Sequence, residues 1–106
     1  MFNTSSTVSK TATVVAKDKL LSIIKIYPNP VEDQLNIILS IGKDGTLTTI
    51  KIIDLLGNEV ATLLNERLNA GELTKNFAVP SRINPGIYFL RVIAGSESQV
   101  KRISVL

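Results

Sequence analysis

Eight carboxylates, Glu32, Asp33, Asp44, Asp54, Glu59, Glu66, Glu72 and Glu97, are the side chains beyond residue 22 best suited to move a proton or hold a cation. They are dispersed along the chain, and no calcium-loop spacing appears among them. A paired-carboxylate hydrolase needs a cleft, which a domain this small and poor in loops seldom provides. The chain has no Cys and no His. Disulfides, thiolate ligands and cysteine nucleophiles are therefore excluded, and the commonest metal ligand and general base at neutral pH is missing. No glycine-rich phosphate loop, zinc spacing or interleaving of basic and aromatic residues is present. These residues read as a non-enzyme with no cofactor and no metal.

Three short motifs remain. In Tyr27-Pro28-Asn29-Pro30 two prolines remove two amide donors and push Tyr27 and Asn29 into extended backbone, so a strand arriving there must end or lie at an edge. The expected role is a rigid entrance to the domain, with Asn29 bonding its own backbone in a turn. In Gly86-Ile87-Tyr88-Phe89-Leu90-Arg91-Val92, Tyr88 is expected in the core with its hydroxyl at the rim. Lys101 and Arg102 are adjacent, so in a strand they point to opposite faces. They are expected to guard an edge against aggregation rather than form one cationic grip.

The elements that must carry these motifs are strands. From residue 22 onward, short apolar runs recur at regular intervals, each ended by Gly, Pro, Asn or Asp. The expected strands are 23–27, 34–40, 47–54, 58–64, 73–79, 86–94 and 98–105, seven in all, which suits a sandwich. Leu35, Ile37 and Leu39 share one face of the second, with Asn36 and Ser40 on the other. The sixth is apolar on both faces, which predicts a central place in its sheet or a covering partner. Gly42, Asp44 and Gly45 form one turn. Gly57 and Asn58 form a tight hairpin in which Gly takes positive φ, and Asn84-Pro85-Gly86 has the residues of a type II turn. Over Glu59–Leu68, Val60, Leu63 and Leu64 also fit a helical period, with strand as the preferred reading.

Length and composition set the frame. At 106 residues the chain is of one-domain size and has room for one core. Aromatics are only 5% of residues, so that core must be aliphatic. The net charge is +3, but Lys10, Lys17 and Lys19 against Asp18 place much of the excess in the first 22 residues. A pI near 9.4 is then no argument for nucleic acid, since the remaining bases are scattered among acids. No apolar run reaches the 18 or so residues of a membrane span, so no stable membrane insertion is expected. Residues 1–22 read as a linker or the tail of an upstream region. They lack a secretory leader, so either Met1 begins a recombinant fragment, the preferred reading, or the chain is cytosolic.

In order along the chain, Tyr27-Pro28-Asn29-Pro30, an alternating strand, Ile52-Ile53-Asp54-Leu55-Leu56-Gly57-Asn58-Glu59-Val60, Ala70-Gly71-Glu72, Pro85-Gly86-Ile87-Tyr88-Phe89 and Lys101-Arg102-Ile103 resemble the type A C-terminal sorting domain of the type IX secretion system of Bacteroidota. The resemblance covers 23–106. It implies an immunoglobulin-like antiparallel β-sandwich of about seven strands at the end of a cargo protein. That cargo passes through the periplasm, is recognised by the outer-membrane translocon and its shuttle and sortase proteins, and reaches the cell surface or the medium, usually with the domain removed before Tyr27. The matching positions are Gly57 in the middle hairpin, Gly86, Tyr88, Lys101, Arg102 and Ile103 in the terminal hairpin, and Pro28, Asn29 and Pro30 at the entrance. Many members end on a basic residue, whereas this chain ends Ser104-Val105-Leu106, which shifts weight to backbone pairing and to Ile103 and Val105. A related module beside flagellar hook-capping proteins shares part of the pattern. The alternative function is a non-catalytic binding or spacer module of an extracellular enzyme or adhesin.

Overall fold

The computed structural model describes residues 19–106; most of the expected linker, up to residue 18, lies outside the described residues. Seven strands follow in order: β1 (Leu21–Tyr27), β2 (Gln34–Ile41), β3 (Thr46–Ile53), β4 (Glu59–Leu68), β5 (Gly71–Ala78), β6 (Gly86–Ala94) and β7 (Glu97–Val105). They pair antiparallel in two sheets, β1-β2-β5 and β4-β3-β6-β7.

The alternation of residues dictates which faces meet. Leu35, Ile37, Leu39 and Ile41 of β2 are buried, and they pack with Ile50 and Ile52 of β3, Leu90, Val92 and Ala94 of β6, and Ile103 and Val105 of β7. Among the described residues no aromatic ring is fully buried, as the aliphatic composition requires. Among the described residues the buried polar side chains are Thr46 and Thr48; the Thr46 hydroxyl donates to Lys43 O at 2.6 Å and that of Thr48 to Thr46 O at 3.0 Å, which removes the cost of unpaired buried groups.

β6 occupies an interior place in the larger sheet, between β3 and β7. This accounts for its two apolar faces: one turns to the core, while Ile87, Phe89 and Ile93 on the other are half-buried among neighbouring strands.

The helical alternative for Glu59–Leu68 is excluded, and the reason for the ambiguity is visible. The β3–β4 ladder slips twice, between Ile50 and Lys51 and between Ile52 and Ile53. Each bulge inserts an extra residue into β4, so its apolar side chains depart from strict alternation.

The three turns differ in how they work. Gly57 has φ +92°, as the hairpin reading required. Gly86 has φ +154°, which is not the value of a type II turn; the hydrogen-bonded turn lies earlier, where Ile83 N–H donates to Pro80 O at 3.0 Å. Gly42 is needed for proximity: its N–H donates to Leu20 O at 3.0 Å, and a Cβ there would strike the Lys19 carbonyl oxygen.

Candidate functional site

β1 is an edge of the smaller sheet and β7 an edge of the larger, and the two run side by side in the same direction. They are tied at both ends. At the first, the Glu97 carboxylate accepts from Leu20 N–H at 2.7 Å and Leu21 N–H at 3.2 Å, and Gln99 Nε2 donates to Leu21 O at 3.1 Å. At the second, Val31 N–H donates to Ser104 O at 2.7 Å and Leu106 N–H donates to Val31 O at 2.8 Å. Val31 is wholly buried there.

This second tie explains the entrance motif. β1 ends at Tyr27, where Pro28 begins, and both Tyr27-Pro28 and Asn29-Pro30 peptide bonds are cis. The Asn29 side chain does not bond its own backbone as expected; its Oδ1 accepts from Ser104 N–H at 3.4 Å. Asn29 thus helps Val31 cover the far end of β7. Pro28 and Pro30 are exposed and flank it.

The terminal hairpin brings together most of the other motif positions. Gly86 pairs with Val105, Tyr88 with Ile103, Phe89 with Arg102 and Leu90 with Lys101. Ile103 is buried and so acts through packing, whereas Lys101 and Arg102 are exposed. Tyr88 is half-buried against the core and its hydroxyl donates to Asn84 O at 2.7 Å, the rim position foreseen for it.

Lys101 and Arg102 do point to opposite faces of β7, yet they line one cleft of about 260 Å³ with Lys25 and the Ile23–Ile26 stretch of β1. The expectation that they form no common cationic surface fails for a simple reason: the cleft opens along the edge of the strand, where both faces reach it.

Gly57 lies apart, in the β3–β4 loop. There the Asp54 carboxylate accepts from Leu56 N–H and Asn58 N–H, both at 2.9 Å, and from Asn58 Nδ2 at 3.2 Å. These bonds, with that from the Asn58 backbone foremost, hold the Asp54 carboxyl below the usual carboxylate range. Asp54, Arg82 and Tyr88 share a second cleft of about 380 Å³, but the carboxylate is committed to the loop. Leu55 and Leu56 project from that loop, 66% and 88% exposed. Among the described residues no three acids come together to hold a metal ion.

Sequence reasoning overlooked Glu97, Gln99 and Val31 as the groups that hold the two edges together. An apolar residue directly after Pro30 was the only sign of the last.

Residues 25–106 match the model of the secretion system C-terminal sorting domain family. No curated protein matches the chain. Among solved structures, the crystal structure of dimeric latent PorU from Porphyromonas gingivalis superposes with a TM-score of 0.66 at 17% identity, over 81% of this chain. The match takes in 9% of the PorU chain, and it shows the same immunoglobulin-like sandwich. The family match begins within β1 and runs through β7, across both sheets, and the chain therefore belongs to the C-terminal sorting domains of the type IX secretion system.

Proposed function

We propose that this domain is the address of a larger exported polypeptide: a cargo in the periplasm carries it, the outer-membrane translocon with its shuttle and sortase proteins recognises it, and the cargo reaches the cell surface or the medium. The observation that carries this reading is the family match over 25–106. The chemistry agrees with a signal read by its surface, because its most ordered polar groups are spent on joining strands rather than on a reactive centre. Pro28, Asn29, Pro30 and Ile103 serve the signal by shaping the β7 edge; Lys101 and Arg102 serve it by their charge. Gly86 and Tyr88 set the start of the hairpin, and Gly57 sets the loop that displays Leu55 and Leu56.

Removal by the sortase takes place upstream of Leu21. A protease needs an extended substrate free of other pairing, whereas β1 is laddered to β2 from Leu21 to Tyr27. The scissile bond therefore lies ahead of β1, which takes Leu21–Tyr27 out of the stretch before Pro28.

The test is a fusion of the chain to the C-terminus of a fluorescent reporter carrying its own periplasmic leader, expressed in a strain with this secretion system. Reporter on the cell surface or in the medium is the expected result. Reporter retained in the periplasm, at the level of the leader alone, overturns the proposal.

A further inference from the structure

Strand β7 has an unbroken register with β6 from Gly86↔Val105 to Ala94↔Glu97. Ser104 and Leu106 turn their backbone groups away from β6, since Val31 and Asn29 bond them. By the two-residue period of a strand, Val100 and Arg102 turn theirs outward too. Neither has a partner among the described hydrogen bonds. The outer edge of β7 is thus sealed at its far end and tethered at its near end through Glu97 and Gln99. Between the two ties it offers two residues' worth of ladder groups, enough to pair a guest of about five extended residues, ~16 Å long.

The walls of that window carry one sign of charge. Among the described residues Lys25, Lys101 and Arg102 line the cleft and no acid does. The ion pairs of the described residues are Lys51–Glu59, Lys75–Glu66 and Arg91–Glu59, so these three cations enter none of them. Lys25 Nζ stands 5.1 Å over the Tyr27 ring, which keeps it beside the cleft. The margins are apolar: Ile24, thrown outward by the bulge between Ile23 and Lys25, and Val100 are each 53% exposed.

We propose that the cleft between β1 and β7 is a docking groove for an extended acidic segment of a partner protein, which adds to the β7 edge at Val100 and Arg102 while its carboxylates meet Lys25, Lys101 and Arg102. Backbone pairing supplies affinity, and the charges supply selection. A second copy of this chain is rejected, because it would bring the same cations against themselves. Lys101 and Arg102 reach opposite sides of the guest, so the segment recognised has adjacent acidic residues rather than acids on alternate positions. The proposal rests on the sorting-domain reading for the identity of the partner as part of the secretion machinery; the chemistry of the groove does not.

The experiment has two arms. In the first, the whole chain is titrated with a capped octapeptide of valines around a central Glu-Glu pair, and with versions carrying Lys-Lys or Gln-Gln instead, while backbone amide NMR shifts are followed. The acidic peptide is expected to shift Ile23–Lys25 and Val100–Arg102 and to bind about tenfold tighter than the neutral one. The double variant Lys101→Glu/Arg102→Glu, folded by its spectrum, is expected to reverse the preference toward the Lys-Lys peptide. Shifts absent from these residues, an unchanged preference in the double variant, or the same shifts from inorganic phosphate alone would overturn the groove. In the second arm the double variant is placed on the exported reporter. Retention in the periplasm is expected while the unaltered domain is exported. Export of the double variant at the unaltered level refutes docking through this groove, whereas failure of the unaltered domain refutes the sorting reading and leaves the peptide result standing.

Discussion

The Val31 amide donates to the Ser104 carbonyl oxygen at 2.7 Å, and Val31 in turn accepts from Leu106, so the residue following the proline pair closes the last strand of the domain. This joins the two proline-flanked and hairpin motifs into one unit, although they lie at opposite ends of the sequence. Replacing the wholly buried Val31 by Ala removes two methyl groups and leaves a small cavity, with an expected loss of about 2 kcal/mol. Asn29→Ala, which deletes one long and exposed bond, is expected to cost under ~1 kcal/mol. Urea unfolding of the two variants checks the order.

Ile103 and Arg102 are neighbours with different work. Ile103→Ala is expected to cost about 2–5 kcal/mol, because the side chain is buried and its cavity cannot refill. Arg102→Ala is expected to fall within ~0.5 kcal/mol of the unaltered domain. Equal destabilisation by the two in thermal unfolding would contradict the placement of Arg102 on the surface.

Gly42→Ala is expected to destabilise by about 1–3 kcal/mol, since its Cβ meets Lys19 backbone rather than a movable side chain. The damage should be local. Hydrogen exchange is expected to quicken at Leu20–Ile23 and Gly42 while Ile50 and Leu90 keep their protection.

Trypsin, applied briefly to the native chain, is expected to spare Lys25, which is exposed but laddered in β1. Mass spectrometry of the resistant core reads this directly. A first cut at Lys25 would contradict the assignment of β1 as a stable edge.

The Asp54 carboxyl is held below its usual range by bonds from Asn58 and Leu56, and Glu59 is held low by the Lys51 ammonium, which bonds it at 2.8 Å. Both groups have folded values depressed below their unfolded ones. Their contribution is therefore complete above the unfolded values and is lost as pH falls through the folded ones, below about pH 4. Carboxyl NMR titration should find Asp54 below an ordinary aspartate. Asp54→Asn should remove part of the acid dependence and loosen the loop around Leu55 and Leu56.

Much of this architecture was legible because strands advertise themselves locally. Leu35, Ile37 and Leu39 alternate without interruption, and all three are buried; each of the seven expected strands is present within a few residues. β4 was the ambiguous case because two bulges spoil its period, so Val60, Leu63 and Leu64 mimic a helix. The ties between β1 and β7 were illegible for the opposite reason. Glu97 reaching Leu20, Gln99 reaching Leu21 and Asn29 reaching Ser104 depend on sheet order, which brings distant residues together without any local pattern. Gly42 likewise read as a simple turn residue, since its need to lack a Cβ comes from Lys19, across the sheet.

Because β1 and β7 run in the same direction, Leu21 and Leu106 lie at opposite poles of the sandwich, separated by roughly the nine-residue length of β7, about 30 Å. A chain tethered ahead of Leu21 hangs from the pole where the β6–β7 hairpin turns, while the cleft lined by Lys25, Lys101 and Arg102 lies partway toward the other pole. A pull applied between Leu21 and Leu106 would load the β-ladders lengthwise instead of peeling them rung by rung.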